Sequence, residues 1–134
     1  MALEIVVTHG GNKKIDATVN GFTINTDQHV DYGGEGTAPE PFTLFLSSLA
    51  TCAGIYVVGF CQTRDIPTDG IRLVQDHEFD EKTGRLLAIN LKVEVPPEFP
   101  DKYHKSLIKA AKYCTVKRTI EEPPPMEVAL EVTA

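Results

Sequence analysis

Residues 41–61 read PFTLFLSSLATCAGIYVVGFC, and Phe42 to Cys61 carry no charged residue. An apolar run of this length is a helix, and it is about long enough to span a bilayer. Ser47, Ser48, Thr51 and Gly54 place small or polar groups along it. The segments on either side each have one apolar face that needs covering. The run is therefore expected to be a core helix, apolar all round because it is buried from every side.

Upstream, Ile5 to Val7 is a short β-prone run, and Gly10-Gly11-Asn12 reads as a turn. Ile15, Ala17 and Val19 alternate with Asp16 and Thr18, the pattern of a half-buried strand. Asn20-Gly21 is a two-residue hairpin signal, since both residues tolerate positive φ; Phe22 and Ile24 continue on the partner strand. The stretch DQHVDYGGEGTAPEP is a loop. Thr37 and Glu40 have capping-box spacing, and Pro39 or Pro41 suits a first helical turn.

Downstream, a second β unit begins at Gly70 and turns at Asp80–Gly84. Leu87, Ile89, Leu91, Val93 and Val95 then alternate with polar or small residues, the clearest strand in the chain. PPEFP breaks it, and Pro100 can start a helix over DKYHKSLIKAAKYC. On that helix Tyr103, Leu107, Ala110 and Cys114 share one stripe. EEPPP ends the helical region, and Val128, Leu130 and Val132 form a last alternating strand. The order β-β-β-α-β-β-α-β predicts an α+β fold with antiparallel sheets, as one domain over residues 1–134. One such chain has too little surface to cover both a sheet and an all-apolar helix. A homodimer with helices packed between two subunits' sheets is expected on that ground.

The charge balance is 13 Lys+Arg against 19 Asp+Glu, a net −6. That argues against nucleic-acid or anionic-membrane partners. MALEIVVTHG lacks the basic-then-apolar pattern of a signal peptide. Three cysteines in 134 residues fit free thiols in a reducing compartment, so a cytoplasmic location is expected.

Free cysteine most often acts as a small buried hydrophobe, and Cys61, on the opposite side of the helix from Cys52, is read that way. Cys52 differs: Ala50, Thr51, Ala53 and Gly54 around it are small and leave room for a substrate or another backbone. Cys114 stands where one helix ends and CTVKRTI starts a new helical turn, with Lys117 and Arg118 following. A thiolate is favoured at such a terminus. Thiols on two helices can cycle through sulfenic acid and disulfide if they meet. Metal binding is the rival reading, but no CxxC, HxxxH or HExxH spacing occurs, and His9, His29, His77 and His104 are scattered. There is no GxSxG elbow, and GGEGTAP lacks the Lys-Ser/Thr ending of a phosphate loop.

GTAPEPFTLFLSSLATCAGIYVV, the alternating hairpin, and AKYCTVKRTIEE with its closing strand together resemble the OsmC/Ohr family, the osmotically induced and organic hydroperoxide resistance proteins. The resemblance spans about Ile5 to Val132, and the YC-x-V context of Cys114 is similar to the OsmC-like branch. It implies an intertwined homodimer and a thiol peroxidase without metal, flavin or haem. Cys52 would be the peroxidatic thiolate, Cys114 the resolving thiol, and a small thiol or dithiol the reductant. Two features depart from the family. Its glutamate nine or ten residues before the first cysteine is replaced by Thr43 and Phe42, leaving Glu40 as the candidate acid. Its Ohr-type arginine in the first hairpin turn is replaced by GGNKK, leaving Lys13 or Lys14 as the candidate cation. The alternative is a non-catalytic or redox-sensing dimer that binds an apolar small molecule.

Overall fold

The computed structural model describes residues 3–134, so the first two residues of the stretch read for a signal peptide lie outside it. The chain forms two compact units, one ending at Ser47 and one from Ser48 onward.

The first unit holds a three-stranded antiparallel sheet of β1 (Val6–His9), β2 (Ile15–Val19) and β3 (Phe22–Thr26), in that order. The β2–β3 hairpin closes through Asn20 at φ 49° and Gly21 at φ 79°, both positive, which is why an Asn-Gly pair suits it. Between β1 and β2, the Gly10 N–H donates to the Lys14 carbonyl at 2.8 Å, and Asn12 turns at φ 48°.

The following loop folds around Asp27, whose side chain is fully buried. Its carboxylate accepts from the Gln28 N–H (2.7 Å), the Thr37 hydroxyl (2.6 Å) and the Thr37 N–H (3.1 Å). The Thr37 hydroxyl and these N–H donors hold the Asp27 carboxyl well below the usual carboxylate range. Gly34 is obligatory there: a Cβ would lie 2.0 Å from the Gln28 carbonyl oxygen. Thr37 does not cap the helix as its spacing with Glu40 suggested: the helix begins only at Pro41, and the Thr37 hydroxyl instead donates to Asp27.

The helix α1 spans Pro41–Gln62, with Pro41 in its first turn as expected, and most of its length belongs to the second unit. Beyond it, β4 (Arg72–Phe79) and β5 (Leu86–Glu94) form an antiparallel pair. The Asp80 carboxylate seals their turn by accepting from the N–H groups of Lys82 (2.8 Å) and Thr83 (2.9 Å). A single 3-10 turn (Asp101–Tyr103) leads from Pro100 into α2 (His104–Lys112), and α3 (Thr115–Glu121) follows. Leu49, Ala53, Val57 and Phe60 recur at three- and four-residue spacing on α1, and bury one face against Leu107 and Ala111 of α2.

Two expectations need correction. The helix α1 is not buried from every side in the single chain: Ile55 is 71% exposed, and Phe42, Phe45 and Val58 are also exposed. The sheet and α2 reach only one of its faces. The closing strand also does not form. Residues after Glu121 adopt no regular structure, with Val128, Leu130 and Val132 at 100%, 92% and 88% exposure. A strand needs an edge to pair with, and Pro123–Pro125 withhold three N–H donors just before it. The alternation read at 128–132 is real, but among the described residues nothing pairs with it.

Candidate functional site

The second unit carries both Cys52 and Cys114, and packs Cys52 against the buried cluster that contains Cys114. Cys52 sits mid-way along α1 and is half-buried; Cys114 is fully buried, at 0% exposure. Cys114 occupies the cap position of α3, with extended backbone (φ −64°, ψ 145°), and its Sγ accepts from the Lys117 N–H at 3.3 Å. The helix start read at CTVKRTI is thus present. Its electrostatic consequence differs from the expectation. Burial pushes the Cys114 thiol up, and the Lys117 N–H offsets that only in part. The Cys52 thiol raises it further, and Cys52 packs against the buried cluster that contains Cys114. Cys61 is fully buried among the core residues, and burial raises its pKa as well, against a smaller opposing effect of Arg64.

Tyr56, one turn beyond Cys52, pairs its hydroxyl with the Thr115 hydroxyl at 2.8 Å, joining α1 to the start of α3. Beside these contacts lies a cavity of about 380 Å³, with Ala53 and Cys114 in its wall and Leu49, Ile89, Leu91 and Val93 making it apolar. Lys117, also on its lining, is engaged by Glu121 at 3.0 Å. The apolar space anticipated around Cys52 therefore carries the other thiol in its wall.

Glu40, Lys13 and Lys14 belong to the first unit. Lys14 is committed to Glu35 at 2.9 Å, and that carboxylate raises its pKa. The Glu40 carbonyl accepts the Leu44 N–H at 3.1 Å and so opens α1. Among the described residues, no group of three or more His, Cys, Asp or Glu side chains could hold a metal ion. Sequence reading missed Tyr56, Thr115 and Asp27. Tyr56 falls four residues after Cys52, and Thr115 directly follows Cys114, so helical spacing could have flagged that pair. Nothing local distinguishes Asp27 from the other loop acids.

A family profile described as OsmC-like protein matches residues 34–129. No curated protein matches the sequence. Among solved structures, an OsmC like protein from Mycoplasma pneumoniae superposes with a TM-score of 0.72 at 17% identity, covering 92% of this chain and 89% of that one. An organic hydroperoxide resistance protein OsmC from Legionella pneumophila gives 0.58 at 15% identity, with 90% and 89% covered. The organic hydroperoxide resistance protein OhrB of Bacillus subtilis gives 0.53 at 19% identity, with 89% and 90% covered. At these identities the likeness is one of fold.

Proposed function

Because this chain belongs to the OsmC family, we propose that it is a thiol-dependent peroxidase that reduces organic hydroperoxides through a Cys52 sulfenate and a Cys52–Cys114 disulfide. One observation carries the reading: Cys52, a half-buried thiol, packs against the core cluster that holds the fully buried Cys114. Cys52 keeps partial access for a peroxide, whereas Cys114 is fully buried. Relatives of the same fold named for organic hydroperoxide resistance support the substrate class.

The chemistry balances in three steps. The Cys52 thiolate attacks the terminal oxygen of ROOH, the O–O bond breaks, and ROH leaves with a proton, giving Cys52–SOH. The Cys114 sulfur attacks the Cys52 sulfur, and water leaves with the Cys114 proton. An external dithiol then reduces the disulfide and is itself oxidised. Metal, flavin and haem have no part in this scheme. A cytoplasmic setting suits it, because regenerating the dithiol needs reducing surroundings. In the direct test, purified protein with a dithiol consumes cumene hydroperoxide catalytically. Binding of an apolar ligand in the 380 Å³ cavity without turnover would instead favour the non-catalytic dimer.

The resolving step carries a pH dependence. The raised Cys114 pKa leaves it protonated at neutral pH, and its thiolate fraction climbs about tenfold per pH unit until that pKa is passed. Disulfide formation after one equivalent of peroxide should therefore keep accelerating between about pH 7 and 9. A rate already flat at pH 7 in rapid-quench measurements would contradict this assignment.

The working unit is proposed to be a homodimer. The exposed Ile55 and Val58 of α1 and the unpaired Val128, Leu130 and Val132 are apolar surface that a second copy would cover. Light scattering should give twice the mass of 14.7 kDa. A monomer at micromolar concentration would refute the dimer.

A further inference from the structure

Arg118 touches both residues that flank Cys114. Its Nε donates to the Tyr113 carbonyl at 3.0 Å, and its guanidinium lies 4.2 Å from the centre of the Tyr113 ring. One terminal nitrogen reaches the Thr115 hydroxyl and the Tyr56 hydroxyl, each at 3.4 Å. Those two hydroxyls are bonded to each other at 2.8 Å. The Tyr56 and Tyr113 rings meet edge to face with centroids 6.4 Å apart. Tyr113 ends α2, Thr115 begins α3, and Tyr56 stands one helical turn from Cys52 on α1. One side chain thus joins the segment bearing each thiol.

We propose that Arg118 is a positioning residue: with Tyr56 and Thr115 it clamps the Cys114 segment against α1 and so sets the Cys52–Cys114 pair in register for disulfide formation. The inference rests on the reading of these thiols as a working pair. A guanidinium suits the task because its planar fork can serve a carbonyl, two hydroxyls and a ring face at once; an ammonium on a flexible stem cannot. The clamp matters because a third element is involved. Without it, Cys114 hangs on the short connection between α2 and α3, and only core packing fixes its distance from Cys52. Small displacements of reacting groups are costly, up to about 10²-fold for an ångström.

The test is a redox titration of the full chain in dithiothreitol buffers, which forms the disulfide without any peroxide. Arg118→Ala should weaken the Cys52–Cys114 disulfide about tenfold, a shift of about 30 mV toward less negative potential. Tyr56→Phe should produce a smaller shift. Combined with Arg118→Ala it should add less than its own effect, because both act through one cluster. Arg118→Lys should restore part of the potential. A merely structural role would lower the melting temperature of the reduced protein and leave the potential in place. An unchanged or more negative potential in Arg118→Ala overturns the clamp. A wild-type protein that titrates normally yet ignores hydroperoxide overturns the peroxidase reading, and the clamp is still judged by the variants' potentials.

Discussion

Cys52→Ser is expected to reduce dithiol-supported consumption of cumene hydroperoxide to the uncatalysed rate. The loss should be on the order of 10⁴ or more, the scale seen when a catalytic nucleophile is removed. A serine hydroxyl is not ionised near neutral pH and does not attack an O–O bond. Serine is nearly isosteric with cysteine, and mid-helix it can bond back to the carbonyl one turn earlier, so the variant should fold. The other two thiols cannot substitute, because Cys114 and Cys61 are both buried with raised pKa values. Both should emerge from the peroxide unmodified in a digest. Retained turnover in Cys52→Ser would end the peroxidase reading.

Cys114→Ser should behave differently. The first equivalent of hydroperoxide per chain is consumed at the wild-type rate, since that step belongs to Cys52. With no resolving thiol and no dithiol added, Cys52–SOH then persists until further peroxide converts it to sulfinic acid, which a dithiol added later does not reverse. Activity should therefore die with peroxide dose, and mass spectrometry should find two added oxygens on Cys52. Serine is chosen because the side chain at this position caps α3 by accepting the Lys117 N–H, a role its hydroxyl fills at least as well. A variant that resists inactivation as well as wild type would show that Cys114 is not the resolving thiol.

Both expectations draw on a pairing that the sequence could suggest only by resemblance. Hairpins and helices were legible because their signals are local: the Asn20-Gly21 turn, the alternation from Leu87 to Val95, and Pro41 at the head of α1 all appear where they were read. The cap position of Cys114 was legible for the same reason. Its pKa direction was not, because burial is a property of the whole core and outweighs one cap hydrogen bond. The closing strand around Leu130 failed for the converse reason. Alternation records which side chains want cover, but among the described residues nothing supplies it. The all-apolar character of α1 carries the same message at Ile55. Thr37 shows the limit of local rules: its spacing to Glu40 fits a cap, yet the helix starts only at Pro41 and Thr37 instead ties the loop to Asp27, ten residues earlier. The candidate cation at Lys14 was likewise read from position, whereas the structure pairs it with Glu35.

The proposed mechanism requires that the two thiols cycle. Reduced protein should be treated with a small excess of cumene hydroperoxide, trapped, digested and mapped for disulfides. A Cys52–Cys114 bridge within one chain is expected, with Cys61 free. Unreacted Cys52 would contradict the peroxidase mechanism, and a bridge joining Cys52 to Cys61 or to another chain would contradict the assigned resolving thiol.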